Sequence, residues 1–193
     1  ELELRTPRAE RRLDAVAGPQ ARLSLSPDAS VAMVQDGGVR VADASGVFEV
    51  HPTGSGVVDA CFTGDNCELL VLRRDEARRL LVEGGESSHR LDGPGAAVVG
   101  HSERYEALVL PDEGDDATVL DVRGPRRLAL GARDLACDGE NFLGVDERGR
   151  LVTFNGRTGR VARTFVDDPL TAVGACSDGS VWATRDGRLV SVR

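Results

Sequence analysis

The sequence predicts an all-β fold built from a repeated four-stranded antiparallel unit. Three observations predict it. Five segments share one grammar of apolar runs and polar turns; they begin at residues 21, 57, 96, 132 and 170, so successive starts lie 36, 39, 36 and 38 residues apart. Turn pairs separate the apolar runs at matching places, at Asp36-Gly37, Asp75-Glu76, residues 146–149 and Asp186-Gly187. Asp-Gly tolerates the positive φ of a tight hairpin turn and is a strong short-range hairpin signal. The 23 glycines are spread through these turns, as a hairpin-rich fold requires. A four-stranded meander has two faces and buries neither alone, so copies must stack face to face. Radial stacking of small sheets does this and leaves only short edges, which is a β-propeller, here of five blades with four strands each.

The blades are expected at about 21–55, 57–93, 96–130, 132–167 and 170–193. The first, "ARLSLSPDASVAMVQDGGVRVADASGVFEV", sets the register, with "SVAMVQ" and "GVRVADA" flanking the Asp36-Gly37 turn. In the second, "DEARRLLVE" (75–83) suits a helix by composition, but the repeat register makes it a strand. The third and fourth, from residues 96 and 132, repeat the pattern through "ATVLDVRGPRRLAL" and "LVTFNGRTGRVARTF". The last supplies three runs, at 170–176, 180–185 and 188–193, and lacks a fourth. Residues 1–19 offer "ELELRT" (1–6) and "RRLDAVA" (11–17), one of which is expected to pair with 188–193 and latch the ring. Two alternatives stand beside this. Thr6, Pro7 and Gly18 suit the cap, first residue and end of a helix over 6–18. Alternatively, the five copies belong to a larger ring whose other blades lie on another chain.

"LSLSPDASVAMVQDGGVRVADASG" resembles a WD-repeat blade: an inner strand ending in Ser-Pro-Asp, a second strand, a turn, and a third strand ending near an Asp. The resemblance is degenerate and covers about residues 20–193. The family's Trp-Asp pair is replaced by Ala42-Asp43, Leu120-Asp121 or Phe154-Asn155, and no Gly-His precedes an inner strand. The family's stapling hydrogen-bond network therefore cannot be assembled, and the blades must be held by aliphatic packing between neighbours. "DGSVWATRDG", which contains Trp182, looks more like the blades of bacterial sensor-kinase input propellers.

Composition narrows the function. The chain has 193 residues, 40% hydrophobic but only 4% aromatic, so Val, Leu and Ala must form the core. Its net charge of −8 lacks the basic face that nucleic-acid binding needs. No run of 18 apolar residues marks a membrane span. No signal peptide is visible, so a bacterial cytoplasmic setting is expected, although a chain beginning at Glu1 leaves room for a lost targeting segment. All 24 basic residues are Arg, which fits a GC-rich genome. Cys61, Cys67, Cys137 and Cys176 have no metal-ligand spacing. Cys61 and Cys67 could face each other across a hairpin, but separate thiols are the favoured reading.

Catalytic and cofactor signals are weak, so no cofactor or metal is expected. His51, His89 and His101 lack Glu-x-x-His or His-x-His spacing. The inner strands offer only Asp59 and Asp134 at the axis, too few for a calcium cage of about six to eight oxygens. "PDEGDDATV" (111–119) lacks ordered EF-hand spacing and reads as a solvated turn. The WD-repeat resemblance implies that loops between second and third strands, and loops between blades, open on one face. That face would carry Asp36, Arg73, Arg74, Glu76, Asp112, Asp115, Asp146, Glu147, Arg148, Arg185 and Asp186, with Asp92, Arg133, Asp167 and Asp168 from the inter-blade loops. The competing reading is that turns are simply polar. The expected function is a non-catalytic scaffold or sensor propeller that binds another protein, or another domain of a larger polypeptide, through this face. The alternative is a propeller enzyme, or a small-ligand or metal receptor, using the central axis.

Overall fold

The structure is a computed structural model that describes residues 2–6, 9–13, 22–25, 30–42, 48–51, 56–64, 68–81, 85–101, 104, 106–114, 116–137, 141–155, 160–164, 169–175 and 180–192. It is all-β, with five antiparallel blades arranged as a β-propeller. An N-terminal hairpin joins β1 (Leu2–Thr6) and β2 (Ala9–Leu13). Blade 1 is β3 (Arg22–Leu25), β4 (Val31–Gln35), β5 (Gly38–Ala42) and β6 (Phe48–His51). Blade 2 is β7 (Val57–Thr63), β8 (Glu68–Arg73), β9 (Glu76–Leu81) and β10 (Glu86–Arg90). Blade 3 is β11 (Gly95–Gly100), β12 (Ala107–Pro111), β13 (Asp116–Asp121) and β14 (Gly124–Ala129). Blade 4 is β15 (Ala132–Cys137), β16 (Phe142–Asp146), β17 (Leu151–Asn155) and β18 (Arg160–Thr164). Blade 5 has three strands, β19 (Ala172–Ala175), β20 (Val181–Arg185) and β21 (Arg188–Val192). Among the described residues no helix is long and apolar enough to cross a membrane.

The core is a set of layers between consecutive blades. Ala32, Val34 and Val39 of blade 1 meet Ala60, Phe62, Leu69 and Val71 of blade 2. Leu70, Leu72 and Ala77 on the other face of blade 2 meet Val98, Ala107 and Val109 of blade 3. The same arrangement joins blade 3 to blade 4 and blade 4 to blade 5. Side chains alternate along a strand, so a sheet packed on both sides needs apolar residues at every position of its second strand. The sequence supplies them as "VAMV", "LLVL", "ALVL" and "FLGV", and β4, β8, β12 and β16 are buried almost throughout. The fourth strand β10, "ESSHR", lies at the rim and is largely exposed.

Three devices recur in register. The inner strands β7, β11 and β15 each slip by one residue near their start, between Val57 and Asp59, Gly95 and Ala97, and Ala132 and Asp134. Such bulges bend a strand and re-aim its side chains. The turns after the second strands of blades 1, 2 and 4 also hold the next blade: Val57 N–H donates to Gly37 O at 3.0 Å, Gly95 N–H to Arg74 O at 2.7 Å, and Leu170 N–H to Gly149 O at 2.9 Å. The Asp36-Gly37 and Asp186-Gly187 turns have positive φ at both residues, as their sequence predicts.

At the N-terminus β1 pairs with β2, and the described partner of β21 is β20. The two strands form a local antiparallel hairpin, with Leu2 in register with Leu13 and Thr6 with Ala9. The helix considered over 6–18 is not formed where the chain is described, and "DEARRLLVE" begins β9. Cys61 is a buried free thiol, so it is not bridged to Cys67, which lies outside the described residues.

Two glycines in equivalent turns separate backbone freedom from packing. Gly149 (φ +71°) lies against the next blade, and an added Cβ would meet Pro169 Cβ at 2.5 Å. Gly187 (φ +72°) has nothing within 4 Å of that position. Gly187→Ala is expected to lower stability by about 1–2 kcal/mol, the penalty of a left-handed non-glycine residue. Gly149→Ala is expected to lower it by clearly more, read by urea unfolding of both variants.

Candidate functional site

The five second-to-third-strand turns lie at one end of the blades, the end at which the inner strands begin. The backbone bonds from Gly37, Arg74 and Gly149 to the following blade fix them there, and two more, Leu91 N–H to Asp75 O at 2.9 Å and Asp112 N–H to Pro94 O at 2.7 Å, tie the segment between blades 2 and 3 to flanking turns. The rim is thus anchored by backbone hydrogen bonds.

Asp36, Arg74, Asp112, Glu147, Arg148 and Asp186 are exposed on this rim. Arg73, Glu76 and Arg185 are half-buried, and Glu76 pairs with Arg78 at 3.5 Å. Asp115, Asp167 and Asp168 lie outside the described residues. The structure joins Glu147 to Arg133, 3.4 Å apart, and Asp92 to Arg127, 3.1 Å apart. All four side chains are well exposed, so these pairs contribute little to stability and remain open to other partners. A groove of about 250 Å³ opens beside the second pair, lined by Asp92, Pro94, Glu113, Asp116, Thr118 and Arg127.

Asp146 differs from its neighbours. It is buried, and its carboxylate accepts from Arg148 N–H and Arg150 N–H, both at 2.9 Å, and from Arg150 Nε at 2.6 Å. Burial pushes its pKa up, but the hydrogen bonds and charge of Arg150 and the Arg148 amide outweigh this and hold it below the ordinary carboxylate value. Asp146 therefore organises the turn that presents Glu147 and Arg148.

At the axis, the inner strands line a cleft of about 590 Å³ that includes Arg22, Asp59, Arg133 and Asp134. The two aspartates found by sequence reasoning are structural staples. Asp59 accepts from the Val98 N–H of blade 3 at 2.9 Å, and Asp134 from the Val173 N–H of blade 5 at 2.8 Å, each reaching 39 residues along the chain. Asp59 also accepts from its neighbour Ala60 N–H at 2.9 Å and from Arg22 at 3.2 Å, and Arg22 donates further to Ala96 O of blade 3 at 2.7 Å. Burial raises the Asp59 pKa, with the Val98 bond, Arg22 and Ala60 acting against it. Strand register places Arg22, Asp59, Ala97, Asp134 and Ala172 at one equivalent position of the five blades.

The histidines do not converge among the described residues: His89 is on the outer strand β10, and His101 is buried with its ring edge-on to Phe142, centroids 5.9 Å apart. The side chain of His51 lies outside the described set. No group of three or more His, Cys, Asp or Glu among the described residues could hold a metal ion. Sequence reasoning missed one buried network. Thr63 Oγ1 donates to Glu68, and Arg79 Nη1 bonds both Glu68 oxygens at 3.2 and 3.1 Å, across the three strands β7, β8 and β9. Its signal was Glu68, an acid heading the apolar run "LLVL".

No family model matches the chain, and no curated protein matches it in sequence. Solved structures match it in fold. A catalytically inactive virginiamycin B lyase from Staphylococcus aureus, solved with quinupristin, superposes with a TM-score of 0.67 at 12% identity, over 95% of this chain and 72% of that one. The Cps50 (Swd1) beta-propeller domain of Myceliophteria thermophila gives 0.63 at 15% identity, over 90% and 65%. Hydrazine synthase of Kuenenia stuttgartiensis gives 0.58 at 18% identity, over 83% and 54%. The chain thus spans between about half and three quarters of these proteins. At such identities the likeness is one of fold alone.

Two outcomes follow from the carboxylates. Asp146→Asn should lower stability by about 1–3 kcal/mol at neutral pH, because a charge-assisted hydrogen-bond set is lost. Since the folded pKa is depressed, that contribution is present above the ordinary carboxylate pKa and lost as pH falls through the lowered one. The gap between wild type and variant should therefore close in acid, measured by urea unfolding across pH. Asp59→Ala should lower stability by about 1–3 kcal/mol by leaving the Val98 N–H unpaired, with no steric penalty, since Ala fills the equivalent place at positions 97 and 172.

Proposed function

We propose that this propeller is a non-catalytic protein-interaction module whose mixed-charge rim docks another protein, or another domain of a larger polypeptide. The observation that carries the reading is the exposed array of Asp36, Arg74, Asp112, Glu147, Arg148 and Asp186, contributed by five blades at one end, where backbone bonds anchor the turns of blades 1–4. A fixed array of both signs suits electrostatic complementarity, which steers encounter and sets partner choice. Arg supports it further, because its planar fork engages carboxylates in a bidentate manner. The axial aspartates are engaged in blade-to-blade hydrogen bonds, which favours the rim over the axis as the working surface.

A second reading is favoured by the axial cleft itself, whose Arg22 and Arg133 suit a small anionic ligand. The Staphylococcus lyase shows that a related fold can carry catalysis. That reading predicts a melting shift with anionic small molecules, and no shift across a broad panel would reject it.

The rim is tested with the double variant Arg74→Glu, Arg148→Glu. Affinity capture from native cell extract should lose the partner recovered by wild type, and wild-type recovery should fall steeply with added salt. A folded variant that recovers the same partner at the same salt would sink the proposal.

A further inference from the structure

The axial links between consecutive blades are unequal. Register places Arg22, Asp59, Ala97 and Asp134 at one position of blades 1–4. Arg22 reaches Asp59 of blade 2 at 3.2 Å and donates onward to Ala96 O of blade 3 at 2.7 Å. Asp59 accepts from the Val98 N–H of blade 3 at 2.9 Å, and Asp134 from the Val173 N–H of blade 5 at 2.8 Å. Blade 3 has Ala97 in this place, and a methyl group offers blade 4 no acceptor. Register also identifies the donor this leaves. Val98 pairs with Val109, Val173 with Ala183 and Leu135 with Gly144, each one residue after the axial position of its own blade. The Leu135 N–H is therefore turned to the axis as those of Val98 and Val173 are, since N–H groups alternate in direction along a strand. Among the described residues no side chain of blade 3 accepts from it. Ala97 and Leu135 both line the axial cleft of about 590 Å³, so the place of the missing carboxylate opens into that space.

We infer that this gap between blades 3 and 4 is a slot for a small monocarboxylate, whose carboxylate takes the place of the missing aspartate and accepts from the Leu135 N–H. The two occupied junctions set the chemistry, because in each a carboxylate meets the equivalent N–H of the following blade. An ionised acceptor is the stronger partner for such a donor. Arg22 and Arg133 line the same cleft and offset the charges of Asp59 and Asp134. The remainder of the ligand is apolar. Leu23, Ala96, Val99 and Leu135 form the wall around the slot, and Leu23 is 47% exposed. A cleft of this size falls in the range of small-molecule sites and has room for a short hydrocarbon body behind the carboxylate. The slot rests on the axial reading above, that the cleft takes a small anion, and adds the group recognised and the atom that recognises it.

Propionate and hexanoate are the probes, with chloride at matched ionic strength as the reference. The melting temperature of the wild type should rise with either carboxylate, and more with hexanoate, whose longer chain buries more apolar surface. In amide nitrogen–proton spectra the Leu135 resonance should move on titration. Propionamide, the neutral isostere, should do neither. Ala97→Asp supplies the carboxylate from the chain itself, so the folded variant should lose both responses, with apparent affinity reduced at least tenfold. A Leu135 resonance that stays in place in the wild type overturns the slot, whether or not the variant folds. A rise with propionamide equal to that with propionate overturns the choice of a carboxylate. Equal responses in wild type and folded Ala97→Asp overturn the slot while leaving an anion elsewhere on Arg22 or Arg133. No rise with any anion tried rejects the axial reading together with the slot.

Discussion

The constraint on which the rest depends is the two-sidedness of a small sheet. A four-stranded meander exposes two apolar faces, and side-chain alternation sends odd and even residues of each second strand to opposite layers. In β8, Leu69 and Val71 serve the layer with blade 1, while Leu70 and Leu72 serve the layer with blade 3. No blade has a core of its own. Stability is therefore close to a chain of nearest-neighbour terms, as in other repeat architectures. It also explains how a chain with so few aromatics folds: aliphatic layers between sheets need width, not bulk.

Polar groups are arranged to serve that stacking. Carboxylate staples from inner strands join blade 2 to 3 and blade 4 to 5, through Asp59 and Asp134. The equivalent position of blade 3 is Ala97, and the layer after it holds the largest buried side chains instead, Phe142 and Phe154, stacked at 6.3 Å, with His101 on their edge. The Thr63–Glu68–Arg79 network lies inside blade 2. Such a buried pair adds little net stability, yet removing one member would leave an uncompensated charge. It ties three neighbouring strands of one blade together.

The turns divide the labour. Their backbone carbonyls hold the following blade, and their side chains are left to solvent or to a partner. Blade 2 shows that the backbone alone suffices, because its Arg74-Asp75 turn holds Gly95 of blade 3 without a glycine. Asp146 shows where the division shifts, because its carboxylate is drawn into the turn and only Glu147 and Arg148 remain on the surface.

The repeat period, the hairpin turns and the two-face burial of each second strand were legible in sequence, because each is a local pattern read over a few residues. The sequence by itself determined an all-β chain of five stacking units, and it placed Asp146 among the exposed turn charges although that carboxylate is buried. It marked Asp59 and Asp134 as axial but not as staples, since the N–H groups they bind are 39 residues away. It offered two N-terminal runs as strands, and these form the β1–β2 hairpin. Only the tertiary structure decided which carboxylates are buried, which pairs meet across blades, and that Trp182 and Leu189 are exposed. Those are properties of distance between segments, and alternation along one strand gives both faces the same apolar signal whether or not a neighbour lies against them.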